Sequence, residues 1–199
     1  MWSMREDLRS EFVSVSQALD ECEMTDGRVC LLDMGDNVGG GSAADGTELL
    51  GEIHRREMGP AFGCLFDPEA VQACEATGAG VRIEFRVGGK TDEFHGPPMD
   101  VTVTVRSLHD GRFSEPQPRH GGITEFDQGP TAVCETDHGL TLMLTSRRMV
   151  PFSLQQLISF GLAPKTFRLL VAKGVNAPIA AYREVCDSFI RVNTMGATC

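Results

Sequence analysis

The chain is 199 residues long, 41% hydrophobic and 23% charged, with a formal net charge of −10. That is the balance of a soluble globular domain with enough length to bury a core without covalent staples, and the excess of acid argues against a nucleic-acid backbone or an anionic membrane surface as the main partner. No apolar run approaches the roughly 18 residues that span a bilayer, and the opening MWSMREDLRSEF is charged and amphipathic rather than a secretory leader, so a cytoplasmic protein is expected.

Residues 3–22 read as an amphipathic helix, because Leu8, Phe12, Val15 and Leu19 fall on one face at spacings of four, three and four, and Gly27 marks its stop. RVCLLDM (28–34) is a continuous apolar run bounded by turn residues, the pattern of a strand covered on both faces. A glycine-rich loop follows, and Asp45 stands where it would cap a helix over 46–57 with Leu49, Leu50 and Ile53 facing inward. PAFGCLF (60–66) is the next strand. DPEAVQACEATGAG (67–80) carries an Asp cap, a proline at the first helical position and a glycine stop, which together define a helix. Strand and helix thus alternate, as in a layer with a parallel core.

The middle of the chain changes period. GVRIEFRVGG (80–89) and DVTVTVRSLHDGRF (100–113) alternate apolar and polar residues, the latter with an Asp110-Gly111 turn signal. GRFSEPQPRHGG (111–122) reads as an exposed loop, and TAVCET with LTLMLTS, joined at DHG (137–139), as an antiparallel hairpin. PFSLQQLISFGL (151–162) and APIAAYREVCD (177–187) then read as helices, TFRLLVAKG (166–174) and SFIRVN (188–193) as strands. The expected fold is α/β: a mixed sheet with a parallel α/β core flanked by helices and an antiparallel hairpin extension.

The seven cysteines show no CxxC spacing and no histidine at ligand distance, and four lie within apolar runs. They read as small buried hydrophobes in a reducing compartment. The five histidines are scattered. His54, between Glu52 and Glu57, sits on what reads as a solvated helix face, and the others adjoin turns or glycines. Neither a metal site nor a catalytic residue emerges from these patterns.

The stretch LLDMGDNVGGGSAADGTELL (31–50) poses the functional question. Strand, glycine loop, helix is the order in which backbone N–H groups cradle phosphate, yet neither GxxxxGK[ST] nor GxGxxG is present, and Asp33, Asp36 and Asp45 would repel an anion unless a cation intervened. The alternative is a turn too tight for side chains. The same stretch resembles the opening of the C-terminal domain in the microcystinase C (MlrC) family of zinc metallopeptidases. That family's D-N-x-G-G-G-x-x-x-D-G-T pattern is matched by Asp36, Asn37, Gly39, Gly40, Gly41, Asp45, Gly46 and Thr47. The likeness continues through Gly88, Gly89, Lys90, Gly96 and Pro97, through FRLLVAKGVNAPIAAYREV, and through VNTMGAT.

The resemblance implies that residues 1–24 lead in from a preceding N-terminal domain and that 25–199 form the MlrC-type C-terminal domain. It implies zinc and the catalytic acid in that N-terminal domain, in cis, and a peptide or amide substrate. On this reading the chain walls the substrate side of the cleft and is inactive alone. The substrate-side candidates are Asp36, Asn37, Gly39, Gly40, Gly41, Lys90 and Lys173. Asn37 offers an amide to a peptide group, Asp36 orients it or bonds the loop's own N–H groups, and each lysine follows a strand, where α/β sheets bind ligands. Arg147-Arg148 is a weaker candidate. Two alternatives stand beside it: a phosphate- or nucleotide-binding module, and a regulatory or interaction remnant.

Overall fold

The structure is a computed structural model that describes residues 12–117 and 121–198. The elements follow in chain order: β1 (Val13–Ser14), α1 (Val15–Met24), β2 (Val29–Asp33), α2 (Glu48–Arg55), β3 (Ala61–Phe66), α3 (Pro68–Thr77), β4 (Arg82–Val87) and β5 (Met99–His109). Then come β6 (Arg112–Ser114), β7 (Glu125–Asp127), β8 (Thr131–Thr136), β9 (Leu140–Thr145), α4 (Gln155–Ile158), β10 (Leu169–Ala172), α5 (Ile179–Tyr182) and β11 (Ser188–Asn193). No helix among the described residues is long and apolar enough to cross a membrane.

Among the described residues, nine strands form one sheet in the order β1-β11-β2-β10-β3-β9-β8-β5-β4, and β6 pairs with β7 in a small second sheet. The run from β1 to β9 is parallel throughout, whereas β8, β5 and β4 continue it antiparallel. This is the expected parallel core with an antiparallel extension. β2 and β10 are buried at every position, which is why they read as unbroken apolar runs. Alternate residues of these strands feed two cores: Leu31 and Val171 pack with α1, α2 and α3, and Leu32 and Ala172 pack with Leu157, Ala181 and Tyr182 of α4 and α5.

Several local expectations are corrected. The first helix begins only at Val15, because Ser14 and Gln17 form a reciprocal capping box while Val13 and Ser14 pair with β11; the part expected over 3–11 lies outside the described residues. Helix α2 begins at Glu48 after Thr47, which makes no side-chain capping bond, and the Asp45 carboxylate is taken by the N–H groups of Lys90 and Thr91. Asp67 does cap α3 through the Ala70 N–H, with Pro68 at the first helical position.

Asp110-Gly111 does not close a hairpin, for the chain on its far side pairs with β7 instead. That converts 112–114 from expected loop into strand: Phe113 turns inward and stacks on Phe126 at 4.9 Å between ring centroids. The two late helices shrink to single turns, α4 and α5, whose flanks are held by further turn hydrogen bonds. The six described cysteines are free thiols, and five of them are buried. Burial pushes the Cys64 thiol up to about 12 and that of Cys22 to about 11.

Candidate functional site

The connections leaving β2 and β10 diverge. These strands are neighbours, but β2 runs into α2, which packs on one face of the sheet, and β10 runs into α5, which packs on the other. Diverging connections open a crevice at the carboxyl ends of the two strands, the switch point at which open α/β sheets bind ligands. Three chain segments meet there: the loop after β2, the turn after β10 and the terminal turn after β11.

Beneath the crevice lies a closed charge cluster. Lys173, 4% exposed, places its Nζ 3.1 Å from Asp33 Oδ2 and 2.8 Å from Asp36 Oδ2, and donates to the Gly46 carbonyl at 2.7 Å. Burial alone would lower the Lys173 pKa, but the two carboxylates outweigh it and hold the ammonium well above its ordinary range. Burial alone would likewise raise Asp36, yet the Lys173 charge and hydrogen bond, with help from the Gly46 N–H, bring its carboxyl down to about 2. Asp36 accepts from Ala44 N at 2.7 Å and from Gly46 N at 2.7 Å. Asp33 accepts from the Thr194 hydroxyl and from Asp36 N. The acid flanking the loop therefore points into the fold, and the cation that answers it is a side chain of β10's own end.

The terminal turn clamps this arrangement. Gly35 N donates to Thr194 Oγ1 at 2.8 Å, Thr198 N donates to Gly35 O at 3.2 Å, and Asn37 N donates to Thr198 Oγ1 at 3.1 Å. A Cβ on Gly35 would stand 2.3 Å from the Thr194 carbonyl oxygen, and one on Gly46 would stand 2.8 Å from Asp36 Oδ2. Those two glycines exist for close approach. His95, 1% exposed, joins the clamp: its Nε2 accepts the Ala197 N–H at 3.2 Å, which leaves Nδ1 to donate to Asp92 at 2.7 Å.

Gly39, Gly40 and Gly41 differ, lying exposed on the outer bend, with Gly41 in the left-handed region at φ 94°. Their loop does not present a nest of free donors. Gly40 N and Ser42 N donate to Asn37 O, and Gly41 N donates to Val38 O. The phosphate reading thus loses three of the donors on which it depended.

Beside this bend opens a cavity of about 450 Å³, lined by Asn37, Val38, Gly39, Ile123, Val150, Phe152, Val175, Asn176 and Ala177. Asn37 heads the short 3-10 turn over Val38–Gly40, but its side chain makes no capping bond, and its amide has no hydrogen-bond partner among the described residues. The two neighbours the family pattern couples thus part company: Asp36 is consumed by the fold, while Asn37 faces open space. A larger concavity of about 660 Å³ lies against β5, β8 and β9, between His109, Glu135 and Phe160, where Arg106 and Glu135 already neutralise each other at 3.1 Å.

Of the expected site residues, Asp36 and Lys173 come together in the buried cluster, and Asn37 with Gly39 borders the cavity. Lys90 stands apart. Its Nζ bonds Asp67 Oδ1 at 3.0 Å and Glu69 Oε2 at 3.2 Å, so it braces the start of α3. Arg148 donates to the Ala43 carbonyl and lies over the Phe66 ring, and Arg147 pairs with Asp127. Sequence reasoning missed Thr194, His95, Phe152, Val175 and Asn176. Asn176 carried a usable signal, being, like Asn37, an asparagine four residues past the end of a core strand.

The donors present do not fit a zinc ion. The point between the Asp33 and Asp36 carboxylates is filled by an ammonium, and both His95 ring nitrogens are engaged. Among the described residues, no three His, Cys, Asp or Glu side chains converge as a metal would require.

Fold and site together define an α/β domain with a crevice at the switch point of its parallel strands. A family model for the MlrC C-terminus matches residues 31–199, and the chain belongs to that family. It is 28% identical over 151 residues to Microcystinase C from Sphingomonas sp., an alignment covering 73% of this chain and 28% of that protein. A crystal structure of a candidate metallopeptidase from Mesorhizobium sp. BNC1 superposes with a TM-score of 0.87 at 25% identity, covering 99% of this chain and 39% of that one. The chain therefore spans well under half the length of either relative.

Proposed function

We propose that this chain forms the substrate-side domain of an MlrC-type zinc metallopeptidase that hydrolyses peptide or amide bonds, and that it is inactive alone. Zinc and the proton-transferring carboxylate belong, on this reading, to an N-terminal domain in cis, of the kind for which both longer relatives have room. The crevice after β2 and β10 is this domain's wall of the shared cleft. The observation that carries the proposal is the unpartnered Asn37 amide at the switch point. It can donate to a peptide carbonyl and accept from a peptide N–H, the two bonds an amide substrate needs. Lys173, Asp33 and Asp36 act beneath it as positioning residues, holding the loop in one conformation. Gly39, Gly40 and Gly41 keep its outer face free of side chains. Free, largely buried thiols suit a reducing compartment, and we place the protein in the cytoplasm.

The test is a chimera in which this chain replaces the corresponding domain of Microcystinase C. The expected result is amide hydrolysis by the chimera and none by the chain alone in zinc-containing buffer. Asn37→Ala in the chimera is expected to cost about 10-fold or more in kcat/KM. Zinc-dependent hydrolysis by the isolated chain would overturn the reading, as would a folded, zinc-loaded chimera that cleaves nothing.

A further inference from the structure

We infer that the cavity beside Asn37 receives an uncharged, apolar side chain of the peptide, while the Asn37 amide holds the adjoining peptide group. The inference rests on the substrate-wall reading and adds the kind of residue that binds there.

Its first support is the lining. In a chain in which 23% of residues are charged, no charged side chain among the described residues borders this cavity. Val38, Val150, Phe152 and Val175 supply apolar wall, and among the described residues the polar side chains there are the amides of Asn37 and Asn176. The nearest charges along the chain, Asp36 and Lys173, are spent on each other below the floor. A charged side chain entering here would give up water for a lining without charge among the described residues, where the guanidinium of Arg191 behind it is tied to Asn176, whereas an apolar one loses nothing.

The second is that space has been kept. A Cβ on Gly39 would stand 3.4 Å from Asn37 Oδ1 and 3.6 Å from Phe152 Cζ, so any side chain at 39 would enter the gap between amide and ring. Gly39 is not forced by its backbone, because its φ is not among the positive ones. Open space between Asn37 and Phe152 is what the glycine secures.

The third is size and rigidity. About 450 Å³ falls within the range of small-ligand sites and accommodates a large side chain with its peptide unit. Asn176 is fixed in place by Arg191, whose Nη2 donates to Asn176 Oδ1 at 2.8 Å. One amide is therefore anchored and the other free.

The test uses the isotope-labelled full chain and five blocked amino-acid amides in NMR titrations: N-acetyl derivatives of phenylalaninamide, leucinamide, glycinamide, lysinamide and aspartic acid α-amide. The phenylalanine and leucine probes are expected to shift the backbone signals of Val38, Val175 and Asn176 saturably, binding about 10-fold or more tighter than the glycine probe. The lysine and aspartate probes are expected to bind no tighter than the glycine one. Val175→Asp is expected to erase the apolar preference, and Asn37→Ala to weaken all five probes by a similar factor. Retained dispersion of the other signals shows each variant folded. Equal binding of all five at Asn37 would overturn the apolar subsite and leave the wall reading to the chimera. Preference for a charged probe, or no saturable shift with any, would likewise overturn the subsite.

Discussion

Replacing Lys173 by methionine removes the single cation at the centre of the buried cluster while preserving most of the volume of its stem. The ammonium has three partners in the fold, Asp33, Asp36 and the Gly46 carbonyl, and it is nearly sealed from solvent. Taking away one member of such a group strands the others as uncompensated buried charge, at a cost of about 3–5 kcal/mol. For a chain of this size that corresponds to a fall in Tm of roughly 10 °C, a large fraction of the ~5–15 kcal/mol that holds a domain folded.

The pH dependence supplies a signature that packing loss alone would not. In the wild type the Asp36 carboxyl lies at about 2, below its ordinary 3.8, so its stabilisation is complete above the unfolded value and disappears as pH falls toward 2. The gap corresponds to about 2 kcal/mol. In Lys173→Met the burial that the lysine had overridden dominates, and the carboxyl rises above its unfolded value. Stability is then greatest when Asp36 is protonated and declines as pH rises through the shifted pKa. Urea unfolding at 25 °C between pH 3 and pH 7 measures both effects: a stability loss at pH 7, and a reversed slope in the acid range. Adding Asp33→Asn to Lys173→Met removes one stranded charge and is expected to recover part of the loss. A variant within about 1 kcal/mol of wild type at pH 7, with an unchanged acid slope, would refute the reasoning.

Gly35→Ala places a Cβ 2.3 Å from the Thr194 carbonyl oxygen, a backbone atom that cannot swing aside; a loss of about 2–3 kcal/mol is expected in the same unfolding assay. Lys90→Ala unties a half-exposed ammonium from Asp67 at the start of α3. It is expected to cost only about 1 kcal/mol and to leave probe binding at Asn37 unchanged. Asn37→Ala, by contrast, removes a side chain that makes no hydrogen bond to the described residues. Its unfolding midpoint is expected to shift little, within about 0.5 kcal/mol, while amide binding weakens. A large destabilisation there would show that Asn37 serves the loop and not a ligand.

How far the molecule was legible in advance follows from which interactions are local. β2, β3, β11 and α3 are where their patterns put them, because a run of Val, Cys and Leu, or Asp-Pro before an apolar stripe, carries its own boundary signals. β6 and the shortened α4 were not foreseen. Their conformation depends on Phe113 meeting Phe126 and Phe160, and on the Ser153 hydroxyl donating to Glu115 from 38 residues away, contacts invisible to any window along the chain. The site divides in the same way. The glycine loop announced itself, but its sequence could not reveal that Asp33 and Asp36 turn inward, since the lysine answering them lies 140 residues from Asp33 and the threonine closing on Asp33 lies 161 away. A run of Asp, Asn and Gly reads as an acidic rim until the distant partner is in place. Once Lys173 has absorbed Asp36, the polar side chain of that bend bordering the cavity is the neutral amide of Asn37, set among valines and a phenylalanine, and the proposed recognition of a neutral substrate group rests on that contrast.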